Sequence, residues 1–314
     1  MVDFVKYQAL GNDYLIVDPS RTGSTVLGHE PSPKAVRLLC HRNYGAGADG
    51  LLLGPLERPE PGAPVPLRIF NADGSECGMS GNGLRMFALY LAEHHVEAWR
   101  TGEPFTVRTR GGDADVRITD FRDGQVCLGM GRPRFAPAEG EAGKGGNRDG
   151  GGFGVAVPLS GEGPDAVVTV TDLHLGVPHT VVFRDRVDGE LAQRLGPALA
   201  WHPRHPEGTN VEFVRVHDDR TLEAVVWERA AGSVPASGSG ACAAAAVAHA
   251  RGLVGRDVRV RMPGGEVDVS VARDGRVSLT GTTREVMRGI LSPSLREELT
   301  DQGAGARPSG RRAT

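Results

Sequence analysis

The sequence predicts a strand-rich α+β protein made of two related halves. Three observations carry that expectation. Short stretches that alternate apolar and polar residues outnumber helical ones. Glycine (45) and proline (21) are abundant among 314 residues while aromatics make up only 5%, a composition that suits many short strands joined by tight turns. A Ser-Gly-X-Gly sequence followed by a helix-forming run occurs in each half, as "SGNGLRMFALYLA" at 80–92 and "SGSGACAAAAVAH" at 237–249.

The strands expected from alternation are "YLIVD" (14–18), "FTVRT" (105–109), "ADVRIT" (114–119), "VVTVTDL" (167–173), "HTVVF" (179–183), "NVEFVRV" (210–216), "LEAVVWE" (222–228), "VRVRM" (258–262), "EVDVSV" (266–271) and "RVSLTG" (276–281). Each is short, rich in β-branched residues and bounded by turn formers. Helices are expected at 32–43, where Ser32-Pro33 is an N-terminal signature, and at 82–95, 188–202 and 240–253; serine caps a helix and proline suits its first turn. The segment 137–152, almost free of apolar residues, reads as a surface loop, and 301–314 as a disordered tail.

Composition excludes several function classes. Lys and Arg (36) nearly balance Asp and Glu (39), for a net charge of −3, so no nucleic-acid partner is expected. Cys40, Cys77, Cys127 and Cys242 show no C-x-x-C spacing, and the ten histidines show no metal-ligand spacing; the reading is a reducing, cytoplasmic location with no metal. His94 and His95 read as solvent-facing and His179 as structural. No apolar run approaches membrane length, and "MVDFVKYQAL" carries charge where a signal peptide needs an apolar core. "GAGADG" (45–50) fits G-x-G-x-x-G literally, but a helical pattern precedes it where a dinucleotide fold requires a strand. "ASGSG" has Pro235 before it and lacks the nucleophile-elbow glycine of a serine hydrolase.

The repeated unit has chemistry of its own. A helix N-terminus presents unpaired N–H groups and about half a positive charge. Glycines there let a ligand reach bare backbone. Gly81 and Asn82 in one half, and Gly238 and Ser239 in the other, therefore form candidate cradles for a carboxylate. The plainer alternative is that Ser80 and Ser237 are ordinary N-caps, which serine favours. Were the two units to face one another, residues 80 and 237 would flank the carbon beside a bound carboxylate. That geometry removes a proton from one face and returns it to the other. Cysteine suits such a task; serine is far weaker without an adjacent base.

Over nearly its whole length the sequence resembles the diaminopimelate epimerases, cofactor-independent amino-acid epimerases. The resemblance runs in order through "LGNDYLIVD" (10–18), "RNYGAGADGLLL" (42–53), "RIFNADGSECGMSGNGLRMFALYL" (68–91), "LGVPHTVVF" (175–183), "GTNVEFV" (208–214), "WERAAG" (227–232), "ASGSGACAAAA" (236–246), "MPGGEVDV" (262–269) and "LTGTTREVMRG" (279–289). It implies two pseudo-symmetric domains, each a central helix wrapped by strands, with the active site between them. The domain expectation is 1–130 plus 280–300, and 131–279. The resemblance implies that Asn12, Asn71, Asn210, Glu228 and Arg229 hold the substrate and that Gly81, Asn82, Gly238 and Ser239 cradle its reacting carboxylate. It implies no cofactor and a small amino-acid substrate; a homodimer is compatible with the sequence but is not readable from it.

The departures fall at the chemistry. The family's two catalytic bases are cysteines, and both positions here are serine, Ser80 and Ser237. The Gly-Glu-Thr usual before the second base is "GSV" (232–234), and the asparagine of Gly-Asn-Pro-His is Val177. Three readings stay open: an isomerase that relays protons through serine; a diverged protein that binds an amino acid or catalyses elimination or cyclisation; or serines introduced to trap a substrate. The last does not account for the changes at 233–235 and 177.

Overall fold

The structure, a computed structural model, describes residues 2–21, 27–28, 30–136, 153–159 and 165–303. The expected loop at 137–152 lies outside them. Of the expected tail, 304–314 also lies outside, whereas 301–303 are helical and complete a C-terminal helix. The chain folds as two compact units, Met1–Val126 with Thr282–Thr314, and Cys127–Gly281.

The first unit holds a six-stranded sheet in the order Arg284–Gly289, Phe4–Ala9, Asn12–Val17, Gly50–Leu53, Arg68–Asn71, Glu76–Cys77. Phe4–Ala9 and Asn12–Val17 form a hairpin in which Ala9 faces Asn12 across a two-residue turn. Both turn residues, Leu10 (φ 57°) and Gly11 (φ 82°), are left-handed, as a turn matching strand twist requires. The turn delivers Asn12 to the first position of its strand. Asn12–Val17 and Gly50–Leu53 are parallel and are connected through helix α1 (Pro33–Cys40), since parallel neighbours need a crossover. Ser32 Oγ accepts the Ala35 N–H at 3.1 Å, and Pro33 opens the helix. Val36 and Leu39 of α1 pack on Leu15, Leu51 and Leu53. The C-terminal helix (Pro293–Gly303), which alternation did not reveal, adds Leu299 to the same core.

The loop "GAGADG" leads from α1 into the sheet. A Cβ on Gly45 would lie 2.0 Å from the Leu38 carbonyl, and one on Gly50 2.5 Å from that of Phe70. Close backbone approach accounts for both glycines without a nucleotide.

Helix α2 (Gly81–His94) is buried on every side from Asn82 to Ala92, the mark of a core helix. Phe4–Ala9, Asn12–Val17 and Gly112–Asp120 pack against it. Leu84, Phe87 and Leu91 are fully buried and contribute on the order of 2 kcal/mol each.

The second unit repeats the plan. Its sheet runs Arg134–Phe135, Val167–Leu175, Val177–Phe183, Asn210–Val216, Thr221–Glu228, Asp257–Met262, Gly265–Val271, Val277–Thr282. After helix α3 (Gly189–Ala200) comes α4 (Gly238–Ala250), buried from Gly240 to Ala248. Its alanines let strands of the sheet approach closely, Asn210–Val216 and Gly265–Val271 among them. Helix α3 lies elsewhere, setting Leu191, Leu195 and Leu199 against Val211, Phe213 and Val225.

Candidate functional site

Ser80 and Ser237 occupy equivalent positions at the starts of α2 and α4. Their backbones are nearly identical, with φ −138° and ψ 116° for Ser80, and φ −136° and ψ 120° for Ser237. Each Oγ accepts an N–H three residues on, from Gly83 at 3.1 Å and from Gly240 at 3.3 Å. The N-cap reading and the paired-unit reading therefore describe the same atoms. The glycines are required by space. A Cβ on Gly83 would lie 3.0 Å from Leu52 Cδ2 and 3.3 Å from Ser80 Oγ, and one on Gly240 would lie 3.0 Å from Glu212 Oε1.

Around Ser80, sheet and helix place a polar chain. Asn12 Nδ2 donates to Asp49 Oδ2 at 2.9 Å, Asn82 Nδ2 donates to Asn12 Oδ1 at 3.4 Å, and Arg85 Nη2 donates to Asn82 Oδ1 at 2.6 Å. Asn82 and Arg85 are buried. Asp49 is anchored in turn by Arg42, which bridges to Asp13 and Asp49, while Lys6 pairs with Asp13 at 2.7 Å. Burial alone would raise the Asp13 carboxyl, but hydrogen bonds from Arg42 and Lys6 hold it down at about 2. Tyr14, Gly50 and Asn71 stand in register across three strands, and Tyr14 Oη donates to Ser80 Oγ at 3.4 Å. Asn71 closes its own turn, donating to Ser75 Oγ at 2.9 Å, and makes no hydrogen bond to Asn12 or Asn82.

Around Ser237, which is buried, the arrangement differs. Asn210 Oδ1 accepts the Arg229 N–H at 3.1 Å, and Arg229 Nη1 donates to the Glu207 carbonyl at 3.0 Å. Glu228 ends its strand. Gly238 and Ser239 form the first turn of α4 and are half-buried. Beneath that turn lies His179 Nδ1, 2.7 Å from Glu212 Oε1, with both side chains fully buried. Burial pushes the Glu212 carboxyl up, His179 opposes, and the charge of Glu228 adds to the rise. Among the described residues no hydrogen bond joins Ser80 Oγ or Ser237 Oγ to a histidine or a carboxylate.

Sequence reasoning missed three features here. His179 was read only as structural, and its partner Glu212 was not singled out. The signal was present: Glu212 is a charge inside the apolar run "NVEFV", and such a residue is almost never fully buried unless paired. The Lys6–Asp13–Arg42–Asp49 network joins distant segments and leaves no local pattern. His94 and His95, expected to face solvent, are instead largely buried, with side-chain exposures of 10% and 12%. The end of α2 packs against the sheet rather than projecting from it, and His95 Nε2 meets Asp18 Oδ2 at 2.7 Å.

Comparison with known proteins fixes the class. A solved structure described as a probable proline racemase from Agrobacterium radiobacter superposes with a TM-score of 0.63 at 17% identity, covering 94% of this chain and 96% of that one; this likeness shows the fold. Together with the relatives below, it defines an isomerase of the racemase and epimerase type. The diaminopimelate epimerase of Methanothrix thermoacetophila is 38% identical over 301 residues, spanning 95% of this chain and 99% of that protein. Diaminopimelate epimerase 2 of a Nostoc species is 36% identical over 306 residues, spanning 93% and 96%. The chain belongs to the diaminopimelate epimerase family, whose profile matches residues 4–136 and 173–286. No helix among the described residues is long and apolar enough to cross a membrane.

Proposed function

We propose that this protein moves a proton at the α-carbon of an amino acid, diaminopimelate or a relative with a polar far end, with Ser80 and Ser237 as the two proton-handling groups. The observation that carries this reading is the matched pair of serine-capped helix tips. The N–H groups of Gly81 and Asn82, and of Gly238 and Ser239, have no carbonyl partner within their helices. They stabilise the negative charge that builds on the substrate carboxylate as the α-proton leaves. One Oγ, in its alkoxide form, takes the proton; the other gives up its own to the opposite face. The reverse transfers restore the pair through solvent. Alkoxide is scarce at neutral pH, so turnover is slow relative to cysteine relatives. Asn12 and Asn71 of one unit, and Asn210, Glu228 and Arg229 of the other, position the rest of the substrate. Val177 offers no side-chain hydrogen bond where the family has asparagine, so diaminopimelate would not be held here as the family holds it. No disulfide joins Cys40, Cys77, Cys127 and Cys242, which supports a reducing, cytoplasmic location. Val286 and Met287, half-exposed on the edge strand Arg284–Gly289, support a homodimer.

The test is α-deuterium incorporation in D2O, read by mass spectrometry over a panel of amino acids. Exchange that disappears in Ser80→Ala and Ser237→Ala supports the reading. A second reading, binding without isomerisation, is favoured by the lack of a histidine or carboxylate bonded to either hydroxyl. Ligand-induced thermal stabilisation with no exchange selects it.

A further inference from the structure

At the C-terminal end of α2, His95 and His94 point to different partners. His95 is paired with Asp18, which also accepts from Tyr90 Oη at 2.6 Å. The His94 ring lies against Tyr90, 4.7 Å between centroids. Its side chain is nine-tenths buried, and its Nε2 is fully buried without a hydrogen-bond partner. A buried polar atom left unsatisfied is destabilising. Nε2 stands 4.0 Å from Glu93 Oε2 and 4.0 Å from Glu285 Oε2, too far for a hydrogen bond to either. The three ligand atoms all lie within 4.8 Å of one another, and this is the one such His/Cys/Asp/Glu group found among the described residues.

We propose that Glu93, His94 and Glu285 bind a divalent transition-metal ion, of which Zn2+ is the type. One imidazole and two carboxylates form a donor set suited to Zn2+, Co2+ or Mn2+, whereas Mg2+ and Ca2+ prefer oxygen alone. Ligand atoms around tetrahedral zinc sit about 3.4 Å apart, as bond lengths near 2.1 Å require, so the two histidine–carboxylate separations need to close by about 0.6 Å and the carboxylate pair by at most about 1.4 Å. Outer contacts orient the ligands as second partners do in metal sites. Tyr7 Oη donates a short hydrogen bond to Glu93 Oε2. Arg288 donates to both oxygens of Glu285 at 2.8 Å. Arg288 competes for Glu285, and Arg21, whose Nη1 donates to the His94 carbonyl at 3.0 Å, adds positive charge; both weaken binding. The site ties the returning strand Arg284–Gly289 to the end of α2 and has no part in the proton transfer proposed above.

The probe is Co2+ titrated into chelator-stripped protein, followed by visible d–d absorption and competed by Zn2+. The expected result is one equivalent bound, with His94→Gln and Glu285→Gln each weakening affinity at least about tenfold. Ser80→Ala/Ser237→Ala leaves binding unchanged, so failure of the isomerase reading and failure of this one are separable. Should a variant fold poorly, a zinc-soaked crystal of the unaltered protein decides: an anomalous peak among Glu93 Oε2, His94 Nε2 and Glu285 Oε2 supports the site. No peak there, or Co2+ affinity in both glutamine variants unchanged from the unaltered protein, overturns it.

Discussion

Two glycines two residues apart in α4 should respond oppositely to the same added methyl group. Gly→Ala inside a helix ordinarily gains about 0.5–1 kcal/mol, because alanine loses less backbone freedom on folding. At Gly238 the new Cβ would meet only Leu279 Cδ1 at 3.5 Å, an ordinary contact, so Gly238→Ala should be neutral to stabilising. At Gly240 the Cβ would press on Glu212 Oε1 at 3.0 Å and Ser237 Cβ at 3.2 Å. A glutamate tip usually swings away at little cost. This one is fully buried and holds His179 at 2.7 Å, and separating a buried pair costs about 3–5 kcal/mol. Partial accommodation leaves overpacking of about 1–3 kcal/mol, which outweighs the helix gain. Gly240→Ala should therefore lie roughly 2 kcal/mol below Gly238→Ala in urea unfolding followed by circular dichroism. Equal stability of the two variants would refute the claim that the His179–Glu212 pair fixes the floor of this turn.

The other outcomes are as follows. Ser80→Cys/Ser237→Cys should raise α-deuterium exchange on a turned-over amino acid at least about a hundredfold, since well-matched acid–base groups supply about 10²–10⁴; unchanged exchange in a folded double variant removes the serines from the base positions. Val177→Asn should shift kcat/KM toward diaminopimelate by tenfold or more relative to the best other amino acid, because a restored polar contact discriminates strongly; an unchanged ratio places residue 177 outside the pocket. Asp13 is held down at about 2 against an ordinary value near 4. A carboxylate depressed on folding contributes stability that is complete above about pH 4 and lost as pH falls toward 2. Asp13→Asn should flatten that part of the acid limb and leave its slope above pH 5 unchanged.

Alternation made the second unit legible almost strand by strand. "NVEFVRV" and the observed Asn210–Val216 coincide, and most other expected strands there shift by one or two residues at an end. The first unit was harder. Its sheet strands "GLLL" (50–53) and "RIFN" (68–71) are buried with little alternation, and a short apolar run has no period to read. "QVCLGMG" (125–131) is a strand whose glycines conceal it. The last helix, "PSLREELTDQG", is too polar for an apolar stripe to stand out. Both serine-capped helix starts are legible because their signal is local, four residues and a helix start. The surrounding groups were hidden because long-range pairing made them: His179 with Glu212, Asn12 with Asn82, and His94 with Glu285 from the far end of the chain.

The two serines set stability against chemistry on the same atom. As an N-cap, serine is among the best residues, worth about 1 kcal/mol over alanine, and Ser80 and Ser237 make that bond with almost the same geometry. Thiol sulfur is a weak acceptor, so cysteine at either position caps less well, yet it ionises near pH 8.5 and does so more readily at a helix N-terminus. A lone pair given to the Gly83 or Gly240 N–H also makes the hydroxyl oxygen a poorer base toward an α-proton. Serine here secures the helix start; under the proposed function it would also slow proton transfer, and cysteine would do the reverse. The two caps match closely in geometry, and each is followed by a glycine, Gly81 in one unit and Gly238 in the other. At position 238 capping alone does not require glycine, because an alanine fits the space there and favours the helix. A glycine in that half-buried first turn leaves bare backbone for a carboxylate, which a simple cap does not need.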